Sequence, residues 1–229
     1  VNILCLETAT EGCSAALLSH GELRYRESEQ PQGHTELILP MTESLLAEAG
    51  LSMNQLDAIA FDRGPGSFTG IRIGTGVAQG LAFAADLPVI PVSSLAILAQ
   101  AVFDLHPDIQ TALCAIDARM NEVYWGVYRR GPDQLPQLQG EEIVCPASHT
   151  PRQNDYQHSF AIGTGWGAYP DLASHHRIQV DATLARALPL ARHMATLALP
   201  ALQRGDTVAA EHAIPVYLRD EVAKKKSEQ

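Results

Sequence analysis

Two short apolar runs, each closed by an acid, constrain this chain more than any other feature. Leu4-Cys5-Leu6-Glu7 lies over Cys114-Ala115-Ile116-Asp117 at a separation of 110 residues, and each run is followed by a turn and a second apolar strand. Short apolar runs bounded by turn signals read as buried strands. Their recurrence halfway along 229 residues reads as an internal duplication. The expected architecture is α/β with two lobes, the first over residues 1–105 and a smaller, degenerate one over residues 106–229.

The first lobe opens with three expected strands, Asn2–Glu7, Cys13–Ser19 and Glu22–Ser28, joined by Thr10-Glu11-Gly12 and His20-Gly21. Turns that short favour antiparallel neighbours. A helix follows over Thr35–Ala49, with Leu37, Ile38, Met41, Leu45 and Leu46 in one stripe and Gly50 as its stop. Pro40 falls early in that helix, where it is tolerated best. Next come a strand over Leu56–Phe61, a glycine-rich stretch over 62–70, and a helix from Ser67 or Gly70 to Ala85. A strand over Pro88–Val92 and a helix capped by Ser93-Ser94 and running to about Phe103 complete the lobe. Alternating strands and helices imply a parallel sheet with helical crossovers.

In the second lobe Glu122–Arg130 reads as an aromatic strand, and residues 131–159, rich in Pro, Gln and His, read as loops. Phe160-Ala161-Ile162 leads into Gly163-Thr164-Gly165-Trp166-Gly167, and a last helix is expected from about Leu190 to Gln203. Lys224-Lys225-Lys226 reads as a solvated end.

Composition narrows the function. Hydrophobic residues make up 46% and charged residues 18%, enough for a packed core. The net charge of -10 repels a phosphate backbone, so binding to nucleic acid unaided is not expected. None of the four cysteines stands in a CxxC pair, and Cys5 and Cys114 sit in apolar runs, as buried thiols of a reducing cytoplasm do. No charged-then-apolar stretch opens the sequence and no apolar run approaches the ~20 residues of a membrane span, so neither secretion nor membrane anchoring is expected. Ile38 stands four residues after His34, so no paired ligands form there, and HExxH and GxSxG are absent. No metal site is expected.

Three features invite chemistry. The glycine-rich stretch either cradles a phosphate at a helix N-terminus or is a turn capped by Ser67 or Thr69, and it lacks the lysine of a P-loop. In the helix after it, Gly70, Gly74 and Ala78 recur at four-residue steps, with Gly76 and Gly80 as a second series. Each interior glycine costs about 1 kcal/mol relative to alanine, so lacking side chains must serve either close packing within the chain or a flat face for a partner. Finally, Glu7 and Asp117 at equivalent strand ends either hold a divalent metal carrying nucleotide phosphates, with hydroxyls such as Thr8 nearby, or cap their own turns. The first option describes a nucleotide hydrolase or kinase.

Leu4 to Thr10, His34-Thr35-Glu36 with Leu39-Pro40, and Arg63-Gly64-Pro65-Gly66-Ser67-Phe68-Thr69-Gly70-Ile71-Arg72 closely resemble the TsaB (YeaZ) family. Ile116-Asp117-Ala118-Arg119, Glu122-Val123-Tyr124, Gly163-Thr164-Gly165-Trp166 and Pro215-Val216-Tyr217-Leu218-Arg219 fit as well. The resemblance implies an actin-like ATPase fold of two ribonuclease-H-like lobes and a part in making threonylcarbamoyladenosine in tRNA. It implies a non-catalytic scaffold for the larger paralogue TsaD, with the ATPase TsaE joining and TsaC supplying the activated adenylate. It also implies a homodimer when the protein is alone, and contact with tRNA only through the complex. The implied interface is Leu37, Ile38, Met41 and Leu45 on one helix and Ile71, Gly74, Val77, Ala78 and Leu81 on the other. Glu7 stands where many members have aspartate, so Glu7, Thr8 and Asp117 are expected to form at most a vestigial nucleotide site, with no cofactor. A metallopeptidase, a label that relatives of this fold have carried, is the other enzyme reading.

Overall fold

A computed structural model describes residues 1–29, 33–153, 156 and 158–219. The chain opens with β1 (Asn2–Glu7), β2 (Cys13–Ser19) and β3 (Glu22–Ser28), then α1 (His34–Ala49), β4 (Ala58–Asp62), α2 (Phe68–Ala85), β5 (Val89–Val92) and α3 (Ser94–Leu105). It continues with β6 (Thr111–Asp117), β7 (Glu122–Arg130), β8 (Pro136–Leu138), β9 (Ile143–Pro146), β10 (Ser159–Ile162), α4 (Thr164–Ala168), α5 (Pro170–His176) and α6 (Ala191–Arg204).

The first sheet has the order β3-β2-β1-β4-β5, and in the second, β10-β6-β7-β8, β9 also pairs with β7. β1 runs antiparallel to β2 and parallel to β4; β6 runs antiparallel to β7 and parallel to β10. The topology therefore repeats, with Glu7 and Asp117 ending equivalent strands. Among the described residues the second sheet has no counterpart of β5.

Side chains of β1 alternate between two cores, as a strand's period of two requires. Leu4 and Leu6 pack with Leu17, Ile59 and Phe61 beneath Ile38 and Leu45 of α1 and Ala78 and Ala82 of α2. Ile3 and Cys5 face the other way and are covered by Ala191, Met194, Ala195 and Ala198 of α6. Leu95, Leu98 and Val102 of α3 pack instead on Ala112, Cys114 and Ile162 of the second sheet.

The expected division at residue 105 falls between the two sheets. The sheets separate there, but α3 lies on the second sheet and α6 returns to the first, whose core Ala210 and Ala213 also enter. The loop expected over residues 131–159 carries β8, β9 and a helical turn at Ala147–His149, elements of three or four residues that are too short to show a period. The last lysines lie outside the described residues. Cys5, Cys13 and Cys114 are buried free thiols and Cys145 is half-buried. No helix among the described residues is long and apolar enough to cross a membrane.

Candidate functional site: an inter-lobe cleft and a helical face

Because Leu6 pairs with Phe61 in the parallel register, the next residues, Glu7 and Asp62, end β1 and β4 side by side. Glu7 Oε1 accepts from the Ala9 amide at 2.7 Å, two residues on. Asp62 Oδ1 accepts from the Gly64 amide at 2.7 Å and the Ser94 hydroxyl at 2.6 Å. Both acids are buried, and Glu7 Oε2 and Asp62 Oδ2 have no hydrogen-bond partner among the described residues. Burial, then the Asp62 charge, pushes Glu7 well above the carboxylate range. Burial raises Asp62 to about 7 against the hydrogen bonds that pull it down. Sequence reasoning missed Asp62, although an acid closing an apolar strand was the same signal that singled out Glu7.

The glycine-rich loop seals these groups from solvent. A Cβ on Gly66 would lie 2.2 Å from the Ala9 carbonyl oxygen, one on Gly70 would lie 2.2 Å from that of Thr8, and one on Gly74 would lie 2.6 Å from Thr8 Oγ1. The Thr8 hydroxyl donates to the Gly70 carbonyl at 2.8 Å, and the Ser67 amide donates to the Ala9 carbonyl at 2.7 Å. Ser67 caps α2, accepting from the Gly70 amide. Carbonyls of the β1–β2 turn thus abut the helix start where a phosphate would sit, and the glycines serve close backbone approach.

Outside this seal a cleft of ≈ 770 Å³ opens between the lobes, with walls that include Thr10, Glu11, His34, Ser67, Asp117, Arg119 and Tyr124. Of the three residues expected at a nucleotide site, Asp117 lines it, while Glu7 and Thr8 do not. Asp117 is engaged locally. Its Oδ1 accepts from the Arg119 amide and the Tyr169 hydroxyl, each at 2.8 Å, and its Oδ2 from the Arg119 guanidinium at 3.0 Å. Both strand-end acids therefore bond the amide two residues on, as turn caps do. That donor set does not fit a divalent ion carrying phosphates, and no group of three potential ligands stands together among the described residues. His34 is a tie between elements, with Nε2 at 3.0 Å from the Thr10 carbonyl and 2.8 Å from that of Gly12. His176 belongs to the second core, stacked on Trp125 with ring centroids 4.8 Å apart.

The helical face divides the nine expected interface residues. Ile38, Leu45, Ile71, Gly74 and Ala78 are buried within the chain. An apolar stripe covers its own sheet first, and these five lie on that side of α1 and α2. Leu37, Met41, Val77 and Leu81 are half-buried. Beyond them Leu39 is 42% and Phe83 81% exposed. Gly76 and Gly80 are exposed, and a Cβ on either would meet nothing within 4 Å. The two glycine series point in opposite directions, and the second is the outward one.

Duplicated lobes of this topology closing on a cleft define an actin-like α/β protein. The family model described as TsaD, tRNA N6-adenosine threonylcarbamoyltransferase, matches residues 28–227. A Haemophilus influenzae protein described as tRNA threonylcarbamoyladenosine biosynthesis protein TsaB is 44% identical, aligning with 99% of this chain and 97% of its own length. An Escherichia coli protein of the same description is 42% identical over 99% of this chain and 98% of its own length. The solved structure described as YeaZ from Pseudomonas aeruginosa superposes with a TM-score of 0.86 at 43% identity, covering 95% of this chain and 99% of that one. The chain belongs to the TsaB family.

Proposed function

We propose that this chain is a non-catalytic subunit of the cytoplasmic machinery that makes threonylcarbamoyladenosine in tRNA. It stabilises a TsaD-type catalytic paralogue, alongside a TsaE-type ATPase and downstream of a TsaC-type enzyme, and meets tRNA only within that complex. The names of its relatives supply the pathway. One observation carries the scaffold role: Gly76 and Gly80 weaken α2 with nothing inside the chain to gain from their missing side chains. Their return lies outside, where a flat strip flanked by Phe83, Leu39 and half-buried Leu37, Met41, Val77 and Leu81 lets another backbone come close. The same strip pairs two copies when the paralogue is absent. Engagement of both strand-end acids, Glu7 and Asp117, in turn caps supports a role without a cofactor or metal of its own.

Gly80→Arg places a long charged side chain on this face and leaves the core untouched. The variant is expected to melt close to wild type, to lose co-purification with the paralogue and to fail to restore the modified nucleoside in cells depleted of the protein. Undiminished co-purification and full complementation would overturn the reading.

A further inference from the structure

We propose that residues 213–219 form a strap that couples the exposed face of α2 to the second-lobe wall of the cleft, with Arg72 as its release point. Four anchors lie along seven residues. The Ala213 carbonyl accepts from the Gln79 side-chain amide at 2.7 Å, and the Val216 amide donates to the Arg63 carbonyl at 2.8 Å. Tyr217 Oη accepts from Arg72 Nε at 2.9 Å. Arg219 donates to the Ala118 carbonyl at 3.0 Å and pairs with the Glu122 carboxylate. The first three anchors are on the first lobe and the fourth is on the β6–β7 turn of the second.

The middle of the strap is part of the cleft itself, since Val216 to Arg219 line it. The far anchor grips an unusual turn, in which Arg119, Met120 and Asn121 all have positive φ, of 62°, 56° and 61°. Left-handed backbone costs roughly 1–2 kcal/mol for each residue that is not glycine, so this turn depends on bonds from outside it. Arg219 supplies one from the strap, and Asp117 supplies others through the Arg119 amide and guanidinium.

The near anchor is open to competition. Arg72 is exposed, and its guanidinium carbon lies 3.7 Å from the centroid of the exposed Phe68 ring. Tyr217 closes this cluster from the strap side, its ring centroid 5.9 Å from that of Phe68. No carboxylate pairs with Arg72 among the described salt bridges, so a neutral phenol oxygen holds the guanidinium. A carboxylate offers the guanidinium two parallel hydrogen bonds and an opposite charge, where the phenol oxygen takes one bond and carries no charge. A protein that brings a carboxylate to this end of α2 takes Arg72 from Tyr217, frees the strap and loosens the turn that walls the cleft. The partner half of this inference rests on the docking reading above; the strap itself does not.

Hydrogen exchange read by mass spectrometry on the full chain tests it. In Arg72→Ala, amides over 214–219 and over 118–122 are expected to exchange about tenfold faster, the change expected from one lost charge-assisted bond. α1 and β1 should be unaffected. Arg219→Ala should act on 118–122 alone, and Tyr217→Phe should reproduce Arg72→Ala while keeping its ring. Unchanged exchange over 118–122 in both Arg72→Ala and Arg219→Ala would overturn the strap. Adding the catalytic paralogue to wild type separates the two readings. Protection of α2 with faster exchange over 118–122 supports the coupling, and protection of α2 with 118–122 unchanged overturns it. Absence of protection on α2 sinks the docking reading, and the strap then stands or falls on the variants alone.

Discussion

One substitution made at two glycines of a single helix should have opposite effects. At Gly70 the new Cβ would sit 2.2 Å from the Thr8 carbonyl oxygen, so α2 must lift by about an ångström before the approach becomes ordinary. Lifting strains the Thr8–Gly70 and Ser67–Ala9 hydrogen bonds together. Overpacking costs about 1–3 kcal/mol and each weakened hydrogen bond about 1 kcal/mol, so Gly70→Ala should lose on the order of 3 kcal/mol. For a chain of this size that is a fall in Tm of roughly 6–12 °C. At Gly76 a Cβ meets nothing, and alanine's helix propensity should add about 1 kcal/mol, a rise of roughly 2–4 °C. Thermal melts followed by circular dichroism at matched protein concentration would read both, since self-association shifts Tm by mass action. Gly70→Ala melting with wild type, or Gly76→Ala melting below it, would refute the division of α2 into an inward and an outward glycine series. The stabilised Gly76→Ala chain should also pair less well, because its gain comes from filling the strip that a second backbone needs.

Two further expectations concern pH, with opposite signs. His176 is 1% exposed, and burial, then His175 and Arg152, lowers its pKa to about 4. Unfolding lets it take a proton below pH 6.5, so stability present above that value falls by about 3 kcal/mol as pH drops towards 4; Trp125 fluorescence against pH should show the fall, and His176→Gln should flatten it. The buried Glu7–Asp62 pair is raised, so its contribution is full at low pH and fades as pH climbs towards about 7. Denaturant titrations between pH 5 and 8 should show that slope in wild type and a shallower one in Glu7→Gln, where only Asp62 is left to titrate; identical slopes would contradict a raised Glu7.

Much of this architecture was legible from residue order because its elements are local. The apolar runs ending at Glu7 and Asp117, the stripe of α1 with Gly50 behind it and the Ser93 cap of α3 each carry their own signal. What escaped was long-range. Nothing in Ala191–Arg204 says that this helix crosses back to cover Ile3 and Cys5. At the candidate site the sequence shows that Glu7 closes a strand but not where its carboxylate turns, so a cap at the Ala9 amide read equally well as a metal ligand. On α2 the spacing showed two glycine series and could not say which was outward, because the direction depends on where the β1–β2 turn comes to rest. The five interface residues that proved buried, Gly74 and Ala78 among them, are set apart from Leu37, Met41, Val77 and Leu81 by their side of the helix and not by their hydrophobicity.

The return of α6 sets when this protein can finish folding. Strands β1 to β5 emerge from the ribosome long before residues 191–204, so one greasy side of a nearly complete sheet stays bare while over a hundred residues are still being translated. The newborn chain must be kept from aggregating through that interval, and a chain truncated before Ala191 should be a product that no later step can rescue.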